Sequence, residues 1–252
     1  MVNGMEPKRE DRQGAVDLVD QVYAQMLTLV RERGLPAPET LNVASLANDL
    51  GVSRTPVNMA LVRLECEGLV HKLPEGGWMT AEYTHKDLED LFELREVLDT
   101  LVVQKAVQQA TPEDIAALFR IVDQMQDAAE EKNVDRWLTF DQRYKSYLLE
   151  LTGNDRLKQI QEQLHNQLFR MMVTNLLVGD RMPLSTREHR EMTEAIATGD
   201  PDIAVKHTLN HLFSMKASLL DMYNNILLPL RGQRPWGSGR VKPSPEGATH
   251  AG

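Results

Sequence analysis

Val16, Val19, Val22, Tyr23, Met26, Leu29 and Val30 recur at three- and four-residue steps through GAVDLVDQVYAQMLTLVRER. That is the apolar stripe of an amphipathic helix over 14–33, which Gly34 and the following LPAP bring to an end. A short second helix is predicted over 43–50, with Asn42 as its N-cap and Gly51 closing it. Ser53 can cap a third helix that tolerates Pro56 in its early turn and runs to about Gly68. Beyond it, β-prone pieces at 69–73 and 78–81 flank a Pro-Glu-Gly-Gly turn, the pattern of a hairpin. Three helices and a hairpin make a winged helix-turn-helix.

From 85 to 228 the pattern is helical throughout, with helices expected near 85–109, 112–131, 133–151, 155–177, 186–198 and 201–226. Thr111-Pro112-Glu113-Asp114 is a helix start; Ser185-Thr186-Arg187-Glu188 fits a capping box; Gly199-Asp200-Pro201 separates the last two helices. The fold class is therefore mostly α: a flexible N-terminus over 1–13, a winged helix-turn-helix over 14–82, an all-helical bundle over 83–228, and a disordered tail over 229–252. That tail, rich in Gly, Pro and Ser, would leave Trp236 exposed.

Composition changes the picture in one respect. The 252 residues carry a formal net charge of -9, most of it in the helical part, so contact with phosphate requires a locally basic surface. The single Cys66 supports no intramolecular disulfide. No apolar run approaches the roughly 18 residues of a membrane span. Together these predict a cytoplasmic protein with no membrane partner.

Ser53, Arg54, Thr55 and Asn58 occupy the N-terminal end of the third helix, while Val57, Leu61 and Leu64 fall on its opposite side. Arginine can pair bidentately with guanine, asparagine with adenine, and Ser or Thr can meet base or phosphate. The string LANDLGVSRTPVNMALVRLECEGLV, followed by GGWMT, resembles the DNA-binding domain of the GntR family of bacterial transcription regulators. The resemblance implies that Ser53, Arg54, Thr55 and Asn58, with Gly76 and Gly77 of the wing, meet double-stranded operator DNA. The family's usual string is close to VSRTPVREAL, so Asn58 stands for an arginine. Ala44 and Gly76 stand at two more positions that are often basic, leaving only Arg54 of four cations. A shallower salt dependence and an unusual operator follow; the alternative is a winged-helix dimer with weakened DNA binding.

DLFELREVLD, TFDQRYKSYLLELTGN, STREHREMTEAIATGD and AVKHTLNHL resemble, in order and spacing, the FCD effector-binding domain of the FadR-type branch. This implies a homodimeric, ligand-responsive regulator, most simply a repressor on a palindromic operator, controlled by a small carboxylate effector. Many members hold a divalent metal such as zinc, nickel or manganese with an Asp, a His four residues later and two further His. Carried onto this chain, those positions are Asp141, Lys145, His189 and His211. A lysine ammonium has no lone pair with which to ligate. Either Asp141, His189 and His211 retain a weakened metal site, or Lys145 stands in for the cation and pairs with Asp141 or the effector. Arg95 matches an arginine that often lines the ligand cavity; Arg143 and Arg187 are lesser candidates for meeting a carboxylate. His85, His165 and His207 read as surface or satisfied groups, and Met171 and Met172 as bundle filling.

A carboxylate with two histidines also suits a metal-dependent enzyme acting on a small molecule. However, His189 is followed by REMT, so there is no H-E-x-x-H, and G-x-S-x-G and a Walker A loop are likewise missing. A regulator rather than an enzyme is expected.

Overall fold

Asn42 shows how the sequence sets up the N-terminal unit: its Oδ1 accepts from the backbone N–H groups of Ala44 and Ser45 at 2.9 and 3.0 Å, opening helix α2 (Val43–Asp49). The computed structural model describes residues 9–32, 39–179 and 181–233. Helix α1 (Arg9–Glu32) lays Val22, Met26 and Val30 against Val57, Leu61 and Leu64 of α3 (Arg54–Cys66). Ser53 holds the N-cap position of α3 without a side-chain bond to the helix. Strands β2 (Val70–Lys72) and β3 (Trp78–Thr80) form the expected antiparallel hairpin.

An additional strand, β1 (Thr40–Leu41), completes a sheet of order β1-β3-β2, with Leu41 opposite Trp78. Two residues are too few to display an alternation, so no periodic sign of it exists in the chain. Thr80 fixes the register, accepting at Oγ1 from the Glu39 N–H and donating its own N–H to the Glu39 carbonyl, both at 2.9 Å.

The bundle comprises α4 (His85–Gln109), α5 (Pro112–Glu130), α6 (Val134–Leu151), α7 (Asp155–Val178), α8 (Arg181–Ala197) and α9 (Pro201–Met222). A π-helical turn (Tyr223–Leu227) then leads into α10 (Leu228–Gln233). Helix α4 packs along α9, α5 against α6 and α8, and α8 against α9. Two apolar cores result, one built around Leu118, Met125, Tyr144 and Ile196, the other around Leu88, Phe92, Leu168 and Leu219.

Three boundaries differ from the sequence reading. Helix α8 begins at Arg181, so Ser185 and Thr186 are buried inside it rather than capping it. The reason is packing: Met182, Ser185, Thr186 and His189 form one inward face, and Thr186 Oγ1 accepts from Trp137 Nε1 at 2.8 Å. Residues 229–233, expected in the tail, continue as helix, and 9–13, expected to be flexible, belong to α1. Trp236 lies outside the described residues.

The two units meet where α3 ends. Gly68 adopts φ +73°, a backbone conformation that side-chain-bearing residues rarely take, and an added Cβ would lie 3.1 Å from Gln167 Nε2 of α7. Gln167 Nε2 donates to the Glu67 carbonyl at 2.8 Å, and the Tyr83 hydroxyl donates to the Gly68 carbonyl at 2.9 Å. Thr84 then starts α4 with a capping box shared with Asp87. Replacing Thr84 with Ala removes that box, and a loss of about 1 kcal/mol of stability is expected. Calorimetry should record a midpoint lowered by roughly 2–4 °C; an unchanged midpoint would mean the cap contributes nothing.

Candidate functional site

Helix periodicity puts Asp141 and Lys145 on one face of α6, and the bundle turns that face toward α8 and α9. Lys145 Nζ donates to Asp141 Oδ2 at 2.6 Å, and His189 Nε2 lies 3.3 Å from Asp141 Oδ1. His189 and His211 stack edge to face with ring centroids 4.6 Å apart. The ring of Tyr144 packs edge-on to His189 at 4.9 Å, and its hydroxyl lies 3.0 Å from Thr193 Oγ1. The four residues that the FCD resemblance singled out thus form one buried cluster.

A second layer of polar groups holds the histidines. His189 Nδ1 donates to the Ser185 carbonyl at 2.7 Å, since a carbonyl only accepts. His211 Nδ1 lies 2.8 Å from Glu188 Oε2, and Arg181 grips Glu188 with two bonds of 3.1 and 2.7 Å. Sequence reading missed Arg181 and Glu188 because it started α8 too late; once α8 begins at 181, a seven-residue spacing places both on one face.

Arg95 is buried and pairs with Asp99 at 2.8 Å; Gln161 Nε2 donates to the other Asp99 oxygen at 2.6 Å. Beside these groups lies a cavity of about 330 Å³. Arg95, Lys145, His189 and His211 line it, whereas Asp141 sits behind Lys145 against a small void of about 20 Å³. Arg143 and Arg187 are exposed on outward faces and do not line the cavity. His165 lines it too, and its Nε2, shielded from solvent, has no hydrogen-bond partner, contrary to the satisfied group expected. Met171 and Met172 are buried in the second apolar core, as expected.

Electrostatics separate the roles of these groups. Burial alone would raise the Asp141 carboxyl, but the Lys145 charge and the His189 bond outweigh it and hold Asp141 far below the usual carboxylate range. Burial also disfavours charge on Glu188, yet bonds from His211 and Arg181 bring it down to about 2. Burial, with His189 alongside, lowers His211 to about 4 despite the opposing pull of Glu188. At neutral pH His211 is an uncharged ring donating Nδ1–H to an ionised Glu188.

The other predicted site lies at the far end of α3. Ser53, Arg54, Thr55 and Asn58 are all exposed, while Pro56 and Val57 between them are buried. Asn58 Nδ2 donates back to the Arg54 carbonyl at 3.0 Å. Gly76 and Gly77 shape the wing turn at φ +90° and +92°, so the basic side chain the family often places at position 76 would strain the backbone here, although open space surrounds it. Ala44 is exposed at the start of α2, where no cation replaces the missing one.

Two family models cover these units. Residues 18–79 match the model described as bacterial regulatory proteins, gntR family, and residues 90–214 match the FCD domain. The chain belongs to the GntR family. As a GntR regulator it is a DNA-binding transcription factor rather than an enzyme. It is similar to the YdhC regulator of Bacillus subtilis, at 24% identity over 192 residues, 76% of this chain and 86% of that protein. It is also similar to the Uxu operon regulator of Haemophilus influenzae, at 29% identity over 193 residues, 70% and 72% of the two chains. Among solved structures, Escherichia coli McbR/YncC superposes with a TM-score of 0.73 at 20% identity, over 82% of this chain and 99% of that one, sharing the fold of this GntR regulator. Among the described residues no helix is long and apolar enough to cross a membrane.

The polar cluster makes acid sensitivity a property of the folded state. His211 in the folded protein stays below its ordinary value of 6.5, so the unfolded chain takes up that proton first. Stability from the neutral ring is full above about pH 6.5 and drains as pH falls toward 4, with Glu188 and Asp141 adding losses lower still. Thermal unfolding followed from about pH 7.5 to about pH 4.5 should show a steadily falling midpoint, and His211→Asn should flatten it. A midpoint that rises on acidification would contradict this assignment.

Proposed function

We propose that this protein is a cytoplasmic, homodimeric, ligand-responsive repressor that binds a palindromic operator and is controlled by a small organic acid in the FCD cavity. The observation that carries this reading is that Arg95 and Lys145, paired with Asp99 and Asp141, both line one cavity, so that an anion entering it meets two cations. An effector acts only through unequal affinity for the DNA-competent and incompetent arrangements. Dimerisation is supported by Leu94, Val97 and Leu101, an exposed apolar stripe on α4 at helical spacing. A two-fold dimer then presents two α3 helices to two half-sites.

The donor set does not fit the divalent metal that the FCD resemblance implies. The engaged Nδ1 atoms of His189 and His211 are of the kind that orient metal-binding rings. Yet the Lys145 ammonium lies 2.6 Å from Asp141, putting a positive charge where the cation would belong. Among the described residues, no group of three or more His, Cys, Asp or Glu side chains converges as metal ligands would. In this reading Lys145 supplies the positive charge and the effector carboxylate pairs with it and with Arg95. Elemental analysis of protein purified without added metal should find far less than one equivalent of zinc, nickel or manganese, and Lys145→His should raise it. Stoichiometric metal in the natural protein would exclude the substitution.

At the DNA end, Arg54 is the exposed cation at the N-terminal end of the reading helix, and Asn58, which gives one Nδ2 hydrogen to the Arg54 carbonyl, keeps Oδ1 and its second N–H to address adenine. Footprinting should locate a two-fold site, and Arg54→Ala should weaken it by roughly tenfold or more. Asn58→Ala should relax preference at one adenine per half-site, and the salt slope should be shallow but clearly negative. Binding with no sequence preference and a slope near zero would refute the operator reading.

A further inference from the structure

The cavity that holds Lys145 and Arg95 is not confined to the helical bundle. Tyr23, Leu27 and Arg31 of α1, with Arg63 of α3, form part of its wall, so the DNA-binding unit closes one end. These residues are anchored by contacts of their own. The Tyr23 hydroxyl donates to Glu67 Oε2 at 2.6 Å, the Arg63 guanidinium lies 3.6 Å over the Tyr23 ring, and Arg31 lies 3.6 Å over Phe169 of α7.

The lining is mixed in chemistry. Lys145, Arg95 and His211, buried or largely so, share it with Val102, Val103, Leu148, Leu149 and Met192. From α1 come the apolar side chain of Leu27 and the ring of Tyr23, beside Arg31 and, from α3, Arg63. About 330 Å³ is at the lower end of cavities that hold small organic ligands, and is ample for more than a bare carboxylate.

We infer that the effector is an amphipathic monocarboxylic acid whose carboxylate is held by Lys145 and Arg95 and whose apolar body rests directly on Leu27 and Tyr23 of the DNA-binding unit. The inference rests on the carboxylate reading above and extends it: the ligand touches the reading module itself, and α1 helps choose its length. A wall shared by two units changes shape whenever they shift, so a ligand that fills it favours one relative placement. Coupling then needs no relay through the bundle.

The series benzoate, phenylacetate, 3-phenylpropanoate and 4-phenylbutanoate tests this with the full chain, by calorimetric titration and by hydrogen exchange. Affinity should rise by up to about fourfold for each added methylene until the space is filled. Amides of α1 around residues 23–31 should gain protection from the longest acid that binds, along with those of α6 and α9. Leu27→Trp, which fills the space beside α1, should abolish the gain with chain length while leaving benzoate binding intact. Leu27→Ala, a milder change at a half-buried site, should reduce binding of the longer acids alone. If the acids bind in a Lys145-dependent way but with equal affinity along the series, no protection of α1 and no effect of either Leu27 variant, the shared-wall inference is overturned while the carboxylate reading stands. If none of the four acids binds, both fall.

Discussion

A carboxylate that is almost wholly buried must find compensating charge, and in the bundle that obligation falls on Asp141. Its answer is Lys145, one turn along the same helix, and His189 from α8. Each of those groups draws in others: His189 needs the Ser185 carbonyl, His211 beside it needs Glu188, and Glu188 needs Arg181. Removing any one partner would strand a charge or a donor in a setting with little water, which is why such clusters behave as units. The arrangement of α6, α8 and α9 around the cavity is thus specified by polar demands as much as by apolar packing.

Much of this organisation can be read from the chain alone, and the failures have definite physical causes. The amphipathic stripe of α1 and the capping residues Asn42 and Thr111 act locally, and local signals are what a sequence displays. Strand β1 owes its existence to pairing with Trp78 and Met79, a long-range event that Thr40 and Leu41 cannot announce. Ser185 and Thr186 resemble a helix start, but burial against Trp137 turns them into interior residues of a longer helix. In and beside the cavity, Asp141, Lys145, His189 and His211 could be aligned with a known order of residues. Arg181, Gln161 and His165 could not, because their places depend on how helices far apart in sequence come together.

The N-terminal end of α3 shows how an acidic chain can still present a polar edge to a ligand. Ser53 at the N-cap and Arg54, Thr55 and Asn58 of α3 stand clear of the protein while Pro56 and Val57 anchor the same turn, so this edge is fixed by the core beneath it. The wing makes a different bargain with geometry. With two consecutive glycines at positive φ, its turn is shaped by backbone freedom, and the absence of a cation at Gly76 belongs to the same local solution.

The clamp at the end of α3 makes that helix a lever. The carbonyls of Glu67 and Gly68 are each held by a side chain from outside the helix, one from α7 and one from the stretch leading into α4. With 13 residues, α3 extends about 20 Å from that fulcrum, so each degree of tilt displaces its far end by roughly a third of an ångström. Hydrogen bonds to base edges tolerate errors of only a few tenths of an ångström. A rotation of a few degrees at Gln167 therefore moves the Arg54 end of α3 by more than such a bond tolerates.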